Sequence, residues 1–464
     1  MKKAFILIFI LPLFAQAQNT SSNPEDSIFI KKIANCILGN RTAAYNNLYY
    51  LTKKIGGRLA GSPQMVLAEH WGTQAMKDAG ADTVILQQCM VPHWIRGGKD
   101  KATVSYKGAN GNEHTIPIAI LALGNSVGSG TKGIKAEILR VNNFDELEAH
   151  KDEVKGKIVF YNCAFDDTLI RTFDAYGKYF AYRVFGASRA AKYGAVGMLV
   201  RSLTNSMNNL PHTGTLRYND SFPQIPAAAV GLIDVQRIDS LMGDGKTLTT
   251  QIFTNAKMLP DTIGHNVVGE LKGSEYPNQI ITVGGHLDSW DINEGASDDG
   301  TGDIQTIEIL RAFKALGFTP KHTIRFVLFM NEENGARGAA KYAELAKQNN
   351  EQPIFAFESD AGGFTPRSIG VDCSAAGYEK LNSWLHLFEP YGVTAFDKGG
   401  GGTDIEPLQQ TFNIPIAELK PDSQRYFDVH HAASDVLENV NIREVKLGAI
   451  NMAALLYLVD KYGL

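Results

Sequence analysis

Cysteine is scarce in this chain: there are four in 464 residues. Cys36, Cys89, Cys163 and Cys373 never fall in a C-x-x-C pair, which excludes a zinc ribbon and a thioredoxin-like redox motif. Their spacing does not choose among disulfide pairings, or between bridges and buried thiols. An excess of one charge is also missing, since 45 basic residues against 49 acidic ones leave a formal charge of −4. No dense basic run occurs, so neither nucleic acid nor an anionic membrane surface is expected as a partner. No apolar run after the first residues approaches the ~18 that a membrane helix needs. Internal repeats are absent, and low complexity is confined to Gly399–Gly402.

What remains has the balance of a soluble globular protein, 44% hydrophobic and 20% charged. The length suits two or three domains at roughly 100–200 residues each, with ample core. Residues 1–17 read as a signal peptide. Lys2 and Lys3 precede an apolar run over Ala4–Phe14, and Ala15-Gln16-Ala17 forms an A-x-A cleavage signal. Export to the periplasm or medium is expected, with a mature start near Gln18. No cysteine follows the cut to take a lipid.

Three further segments differ in texture. Within 18–121, helix is expected over Asp26–Ile55. Another helix is expected from the Ser62-Pro63 cap to Asp78, stopped by Ala79-Gly80, and a strand over Asp82–Val91. Within 122–254, short β runs alternate with loops rich in Asn, Thr, Ser and Pro, which predicts a separate, mostly β unit. Within 255–464, strands near 279–284, 322–330 and 353–357 alternate with helices near 302–316, 336–347, 378–388 and 442–459. That alternation predicts an α/β fold, a mixed central sheet with helices on both faces. Sheets of this kind carry their sites at strand carboxyl ends.

The chemistry-bearing residues fall at those ends. Gly285-His286-Leu287-Asp288 follows one strand, Asn331-Glu332-Glu333 the next and Glu358-Ser359-Asp360 a third. Ala296-Ser297-Asp298-Asp299-Gly300 and the His430-His431 pair complete the set. One His-x-Asp or one Glu-Glu pair is more often a solvated face than a site. Several at neighbouring strand ends would repel one another unless a divalent cation joins them. Mixed histidine and carboxylate ligands suit zinc, with cobalt or manganese as alternatives.

The runs "GGHLDSWD", "ASDDG", "ESDAG", "GTDI" and "YFDVHH", with the earlier "GGRLAGSP", "VPHWIRG" and "LPHTG", resemble the co-catalytic di-zinc exopeptidases of the aminopeptidase/glutamate carboxypeptidase family. Within it the likeness is to the carboxypeptidase Q-like (plasma glutamate carboxypeptidase-like) branch, and it covers nearly the whole mature chain. The resemblance implies a zinc-exopeptidase (phosphorylase/hydrolase-like) fold. Residues 18–121 and 255–464 would form the peptidase domain, and 122–254 a protease-associated domain inserted in it.

The resemblance also implies two zinc ions per chain. His286 and Asp360 would bind one, Glu333 and His431 the other, and Asp298 both. Glu332 would be the general base, Asp288 would hydrogen-bond the far nitrogen of His286, and His430 would stabilise an oxyanion. The Asp298–Asp299 peptide would be cis. His431 is preferred to His430 as ligand because it precedes Asp435 by four residues, as the family's histidine precedes an acid. Short peptides are the implied substrates, and a homodimer the implied assembly. Whether amino- or carboxy-terminal residues are removed stays open. Val436 and Asn331 depart from the residues common among relatives, and neither removes a ligand.

Competing readings are weaker. Gly124-Asn125-Ser126-Val127-Gly128 matches G-x-S-x-G, but a loop follows where a nucleophile elbow needs a helix. Gly399–Gly402 lacks the Lys-Ser/Thr of a phosphate-binding loop and is read as a backbone-lined pocket wall. A mono-zinc acyltransferase relative or a peptide-binding module would keep the fold with an altered metal set.

Overall fold

The computed structural model describes residues 24–464, so the signal-peptide reading of 1–17 lies outside the described residues. Strand Tyr276–His286 is central because residues 280–285 are apolar or small and all buried, and only a strand covered on both faces can use such a run. It pairs in parallel with His322–Phe329 on one side and Gln352–Glu358 on the other. From edge to edge the first sheet runs Thr83–Ile95, Lys257–Leu271, His322–Phe329, Tyr276–His286, Gln352–Glu358, Ile416–Pro421, Pro366–Asp372 and Ala395–Lys398. Parallel and antiparallel pairings both occur, so the sheet is mixed.

Alternation along the strands sends side chains to two cores. Ile324, Phe326 and Leu328 pack with helices Pro24–Gly39, Pro63–Ala79, Thr301–Ala315 and Ile442–Tyr462. Val327 and Phe329 pack on the opposite face with helices Arg337–Gln348 and Glu406–Phe412. Helix Ile442–Tyr462 is buried almost all round from Val445 to Asp460, which requires neighbours on every side. One neighbour is Pro24–Gly39, whose buried Asp26 accepts hydrogen bonds from Tyr457 Oη (2.7 Å), Lys461 Nζ (2.6 Å) and Tyr462 Oη (2.8 Å).

Local signals explain most element ends. Ser62 Oγ accepts from the Met65 N–H at 3.1 Å, and Gly80 closes that helix at φ +97°. The helix expected over Asp26–Ile55 is instead broken at Asn40. Its Oδ1 accepts from the backbone of Thr42 and Ala43, starting a new helix at Ala43–Tyr49. The helix expected over 378–388 is displaced to Ala375–Trp384 by the Ser374 cap. All four cysteines are free thiols.

A second sheet runs Glu113–Ile118, Lys101–Lys107, Thr249–Phe253, Ile134–Val141, Ile158–Tyr161, Gly197–Arg201, Ala227–Val230 and Ile120–Ala122. It begins at Lys101, ahead of the boundary at 122. Lys101–Lys107 pairs with Thr249–Phe253, a partnership invisible to a local reading. Helices Thr172–Ala191 and Leu232–Gly243 accompany these strands, so this middle unit holds more helix than its loop-rich texture suggests. Arg96 joins the two sheets. It donates to Asp291 on the first-sheet side (2.7 and 2.9 Å) and to the Ala122 carbonyl (2.6 Å). Among the described residues no helix is long and apolar enough to cross a membrane.

Candidate metal centre

His286 ends its strand, Glu332 and Glu333 follow Phe329 by three and four residues, and Asp360 follows Glu358 by two. Three adjacent parallel strands therefore deliver their polar residues to one edge. Close backbone approach makes this possible. A Cβ on Gly285 would lie 2.3 Å from Asp299 Oδ2, and one on Gly302 would lie 2.1 Å from the Ser359 carbonyl oxygen. The Asp298–Asp299 peptide is cis.

Asp298 stands at the middle. Its Oδ1 is 3.2 Å from His286 Nε2, which is 3.4 Å from Asp360 Oδ1. Its Oδ2 is 3.3 Å from His431 Nε2, which is 3.1 Å from Glu333 Oε2. The two oxygens of one carboxylate thus face two ligand sets. His430 is also near, with Nε2 3.9 Å from Asp298 Oδ2 and its ring stacked on His431 at 3.6 Å. Asp298 with His430 and His431, and Asp298 with His286 and Asp360, each form a group able to hold a metal ion.

These residues fit cations. Asp298 Oδ2, Glu333 Oε1 and Asp360 Oδ1 are buried and accept no hydrogen bond within the protein, a costly state for a carboxylate. Burial pushes Glu333 well above the usual carboxylate range, and Asp360 up to about 7. His286 is raised too, for the opposite reason. Burial opposes its protonation, yet the carboxylates of Asp360 and Asp298 outweigh it and lift the imidazole well above its ordinary value. The cluster is short of positive charge.

Both histidine ligand candidates have their far nitrogen engaged. His286 Nδ1–H donates to the Asp288 carbonyl at 2.9 Å, and His431 Nδ1–H to the Thr213 carbonyl at 3.3 Å. Each Nε2 is left facing the carboxylates, as a metal ligand requires. This corrects the expected role of the Asp288 side chain, whose Oδ1 is 3.7 Å from His286 Nδ1. The Asp288 carboxylate instead accepts the backbone N–H of Glu332 (2.9 Å) and Glu333 (3.4 Å), so it fixes the turn that presents both glutamates. Burial pushes it up to about 6. Asp435 accepts the N–H groups of Ser297 (2.7 Å) and Asp298 (3.1 Å), holding the bridging residue in place.

Two supports escaped the sequence. Asp299 accepts the N–H of His286 at 3.1 Å and of Gly302 at 3.0 Å. Arg58 is fully buried and donates to the carbonyls of Leu287 (2.5 Å), Glu294 (2.9 Å) and Gly295 (3.1 Å). A lone arginine inside "GGRLAGSP", among small and apolar residues, was its only signal.

The centre opens into a cavity of about 640 Å³. Asp298, Glu332, Glu333, Asp360, His430 and His431 line it, together with Phe173, Tyr176, Arg183, Thr215 and Arg217 of the middle unit. Of the Gly399–Asp404 run, Thr403 lines it; Gly402 instead packs on Glu358. Ser126 of the G-x-S-x-G match is buried in a loop.

Fold and centre together define a metallo-exopeptidase. The model of peptidase family M28 matches residues 266–456. Carboxypeptidase Q of Mus musculus is 34% identical over 448 residues, covering 96% of this chain and 92% of that protein. The crystal structure of a peptidase M28 precursor from Shewanella amazonensis superposes with a TM-score of 0.88 at 29% identity, over 95% of this chain and 97% of that one. A zinc aminopeptidase from Bacillus subtilis shares the fold at a TM-score of 0.63 and 20% identity, over 90% and 95% of the chains. The chain belongs to peptidase family M28.

Proposed function

We propose that this protein is an exported zinc exopeptidase that trims short peptides and holds two ions per chain. His286, Asp298 and Asp360 would take one ion, and Asp298, Glu333 and His431 the other. The observation that carries this reading is the bridging position of Asp298, one oxygen toward each set. Ions bound there supply a water acidified towards a pKa of about 7 and a Lewis acid for the scissile carbonyl.

The chain's own residues do the rest. Glu332 lines the cavity on the turn that Asp288 fixes. It takes the proton of the attacking water and returns it to the leaving amine. His430 lies in a box of Tyr176, Tyr426 and Phe427. Burial holds it well below the ordinary imidazole value, so it is neutral and keeps an N–H for the developing oxyanion. Arg183, Arg217 and Arg337 line the cavity and form no ion pair among the described residues, although Arg183 donates to Tyr176 Oη at 2.6 Å. In this reading Arg217 and Arg337 would take the free carboxylate of a short peptide. The middle unit, read as a protease-associated insert, roofs the cleft and limits peptide length. Export rests on Lys2-Lys3, the apolar run and Ala15-Gln16-Ala17.

The test is Glu332→Gln. The variant should keep its full zinc content while kcat on unblocked dipeptides falls roughly 10²–10⁴-fold, and chelation should silence the native protein. Full turnover in the variant sinks the base assignment. Comparing amino-blocked, carboxy-blocked and free dipeptides decides which end is read.

A further inference from the structure

His431 lies in a turn outside any helix or strand. It follows a four-residue helix, Tyr426–Val429, and sits at φ +61°, a left-handed conformation that disfavours a side chain. What fixes it comes from across the cavity. The Thr213 N–H donates to the His431 carbonyl at 2.9 Å, and His431 Nδ1–H donates back to the Thr213 carbonyl. His212 Nδ1–H donates to the His430 carbonyl at 2.7 Å.

Both donors are anchored in the second sheet. The His212 N–H donates to Ser202 Oγ (2.9 Å), whose hydroxyl donates to the Val230 carbonyl (2.8 Å). The Thr213 hydroxyl donates to the Ala122 carbonyl at 2.9 Å. Both side chains are buried, and among the described residues His212 Nε2 has no partner, so there the bond to His430 is the one hydrogen bond that imidazole makes. The other ligand set is held differently: His286 donates its backbone N–H to Asp299 and its Nδ1–H to the Asp288 carbonyl, within the first-sheet unit.

The geometry points to a metal centre divided between the two units, in which His212 and Thr213 are positioning residues for His431. The ion at Asp298, Glu333 and His431 is held at full affinity only while the middle unit is docked, and the ion at His286, Asp298 and Asp360 is independent of it. The middle unit is then a working part of the centre as well as a roof. This inference rests on the two-ion reading above.

An Asn/Gln pair tests it. In His212→Asn the amide nitrogen replaces Nδ1 and can still reach the His430 carbonyl. In His212→Gln the donor is moved to the Nε2 position, where no acceptor lies. Zinc content is measured in buffers spanning the affinity range, alongside thermal melts. The native protein and His212→Asn should bind two ions alike. His212→Gln should keep one ion at native affinity, an internal sign that it is folded, and bind the other roughly 10–100-fold more weakly. Equal behaviour of the two variants, or loss of both ions together in Gln, overturns the division. A native protein that binds one ion overturns the two-ion reading and this inference with it. That failure appears in the native protein and not in the variants, so the two are told apart.

Discussion

Arg58→Met removes a fully buried guanidinium while keeping most of its volume. Three carbonyls, those of Leu287, Glu294 and Gly295, lose their donor. Each buried acceptor left without a partner costs about 1–3 kcal/mol, so the direct loss is roughly 3–9 kcal/mol. Part is returned, because burying the cation was itself unfavourable. Burial indeed pulls Arg58 below its ordinary value, against the carboxylates of Asp303, Asp288, Asp435 and Asp299. A net loss of about 3–5 kcal/mol is expected, in line with broken buried ionic contacts. The carboxylates report the same loss. Burial already raises Asp303 to about 8 and Asp435 to about 7, and without Arg58 both move higher. More carboxyls are then protonated at neutral pH and metal affinity drops. Urea unfolding of chelated and zinc-loaded protein measures both effects. Arg58→Lys, which keeps the charge but not the fork, should recover part of the stability. A Met variant within 1 kcal/mol of native in both states, on the scale of an ordinary surface substitution, refutes this account.

Two further outcomes follow from contacts outside the ligand sets. In Gly124→Ala the new Cβ would lie 1.9 Å from Trp290 Cη2, and that indole packs edge-on against His431 at 5.6 Å. Overpacking of this kind costs about 1–3 kcal/mol or more, so the melting temperature and kcat should both fall; an unchanged melt counts against the packing. Asp26→Asn should destabilise the chain by about 1–3 kcal/mol at pH 7, since the amide keeps one acceptor and Lys461 is partly exposed. Burial opposes ionisation of Asp26, but hydrogen bonds from Lys461, Tyr457 and Tyr462 outweigh it and hold its pKa below the ordinary value. Its contribution is therefore fully present above the unfolded pKa of about 3.9 and is lost as pH falls through the folded value. The gap between native and variant should close toward acid, and a gap that widens there contradicts the sign.

The parts legible in the sequence were those written in neighbouring residues. The run at 279–284 declared a buried strand, Ser62-Pro63 and Gly80 declared a helix, and the polar residues after three strands declared where the centre lies. The five ligand candidates came together. What stayed hidden was defined by partners distant in the chain. Nothing near Lys101 says that it pairs with Phe253, and nothing near Arg58 says that its acceptors lie beyond residue 286. Asp288 took its expected role from the family resemblance, but its backbone carbonyl is what meets the imidazole, which leaves the carboxylate for the glutamate turn.

The same physics ties these hidden residues together. Asp288, Asp299, Asp303 and Asp435 are all buried beside the ligands, and no interior tolerates that much negative charge unless it is divided among positive partners. Two ions at the mouth and one guanidinium beneath would share the load. The backbone N–H groups of Ser297, Asp298, Gly302, Glu332 and Glu333 take up individual oxygens. An acid substituted by its amide in this layer loses an acceptor as well as a charge. The damage should therefore depend on which N–H is left unpaired, and conservative changes behind the ligands should be as harmful as changes to the ligands themselves.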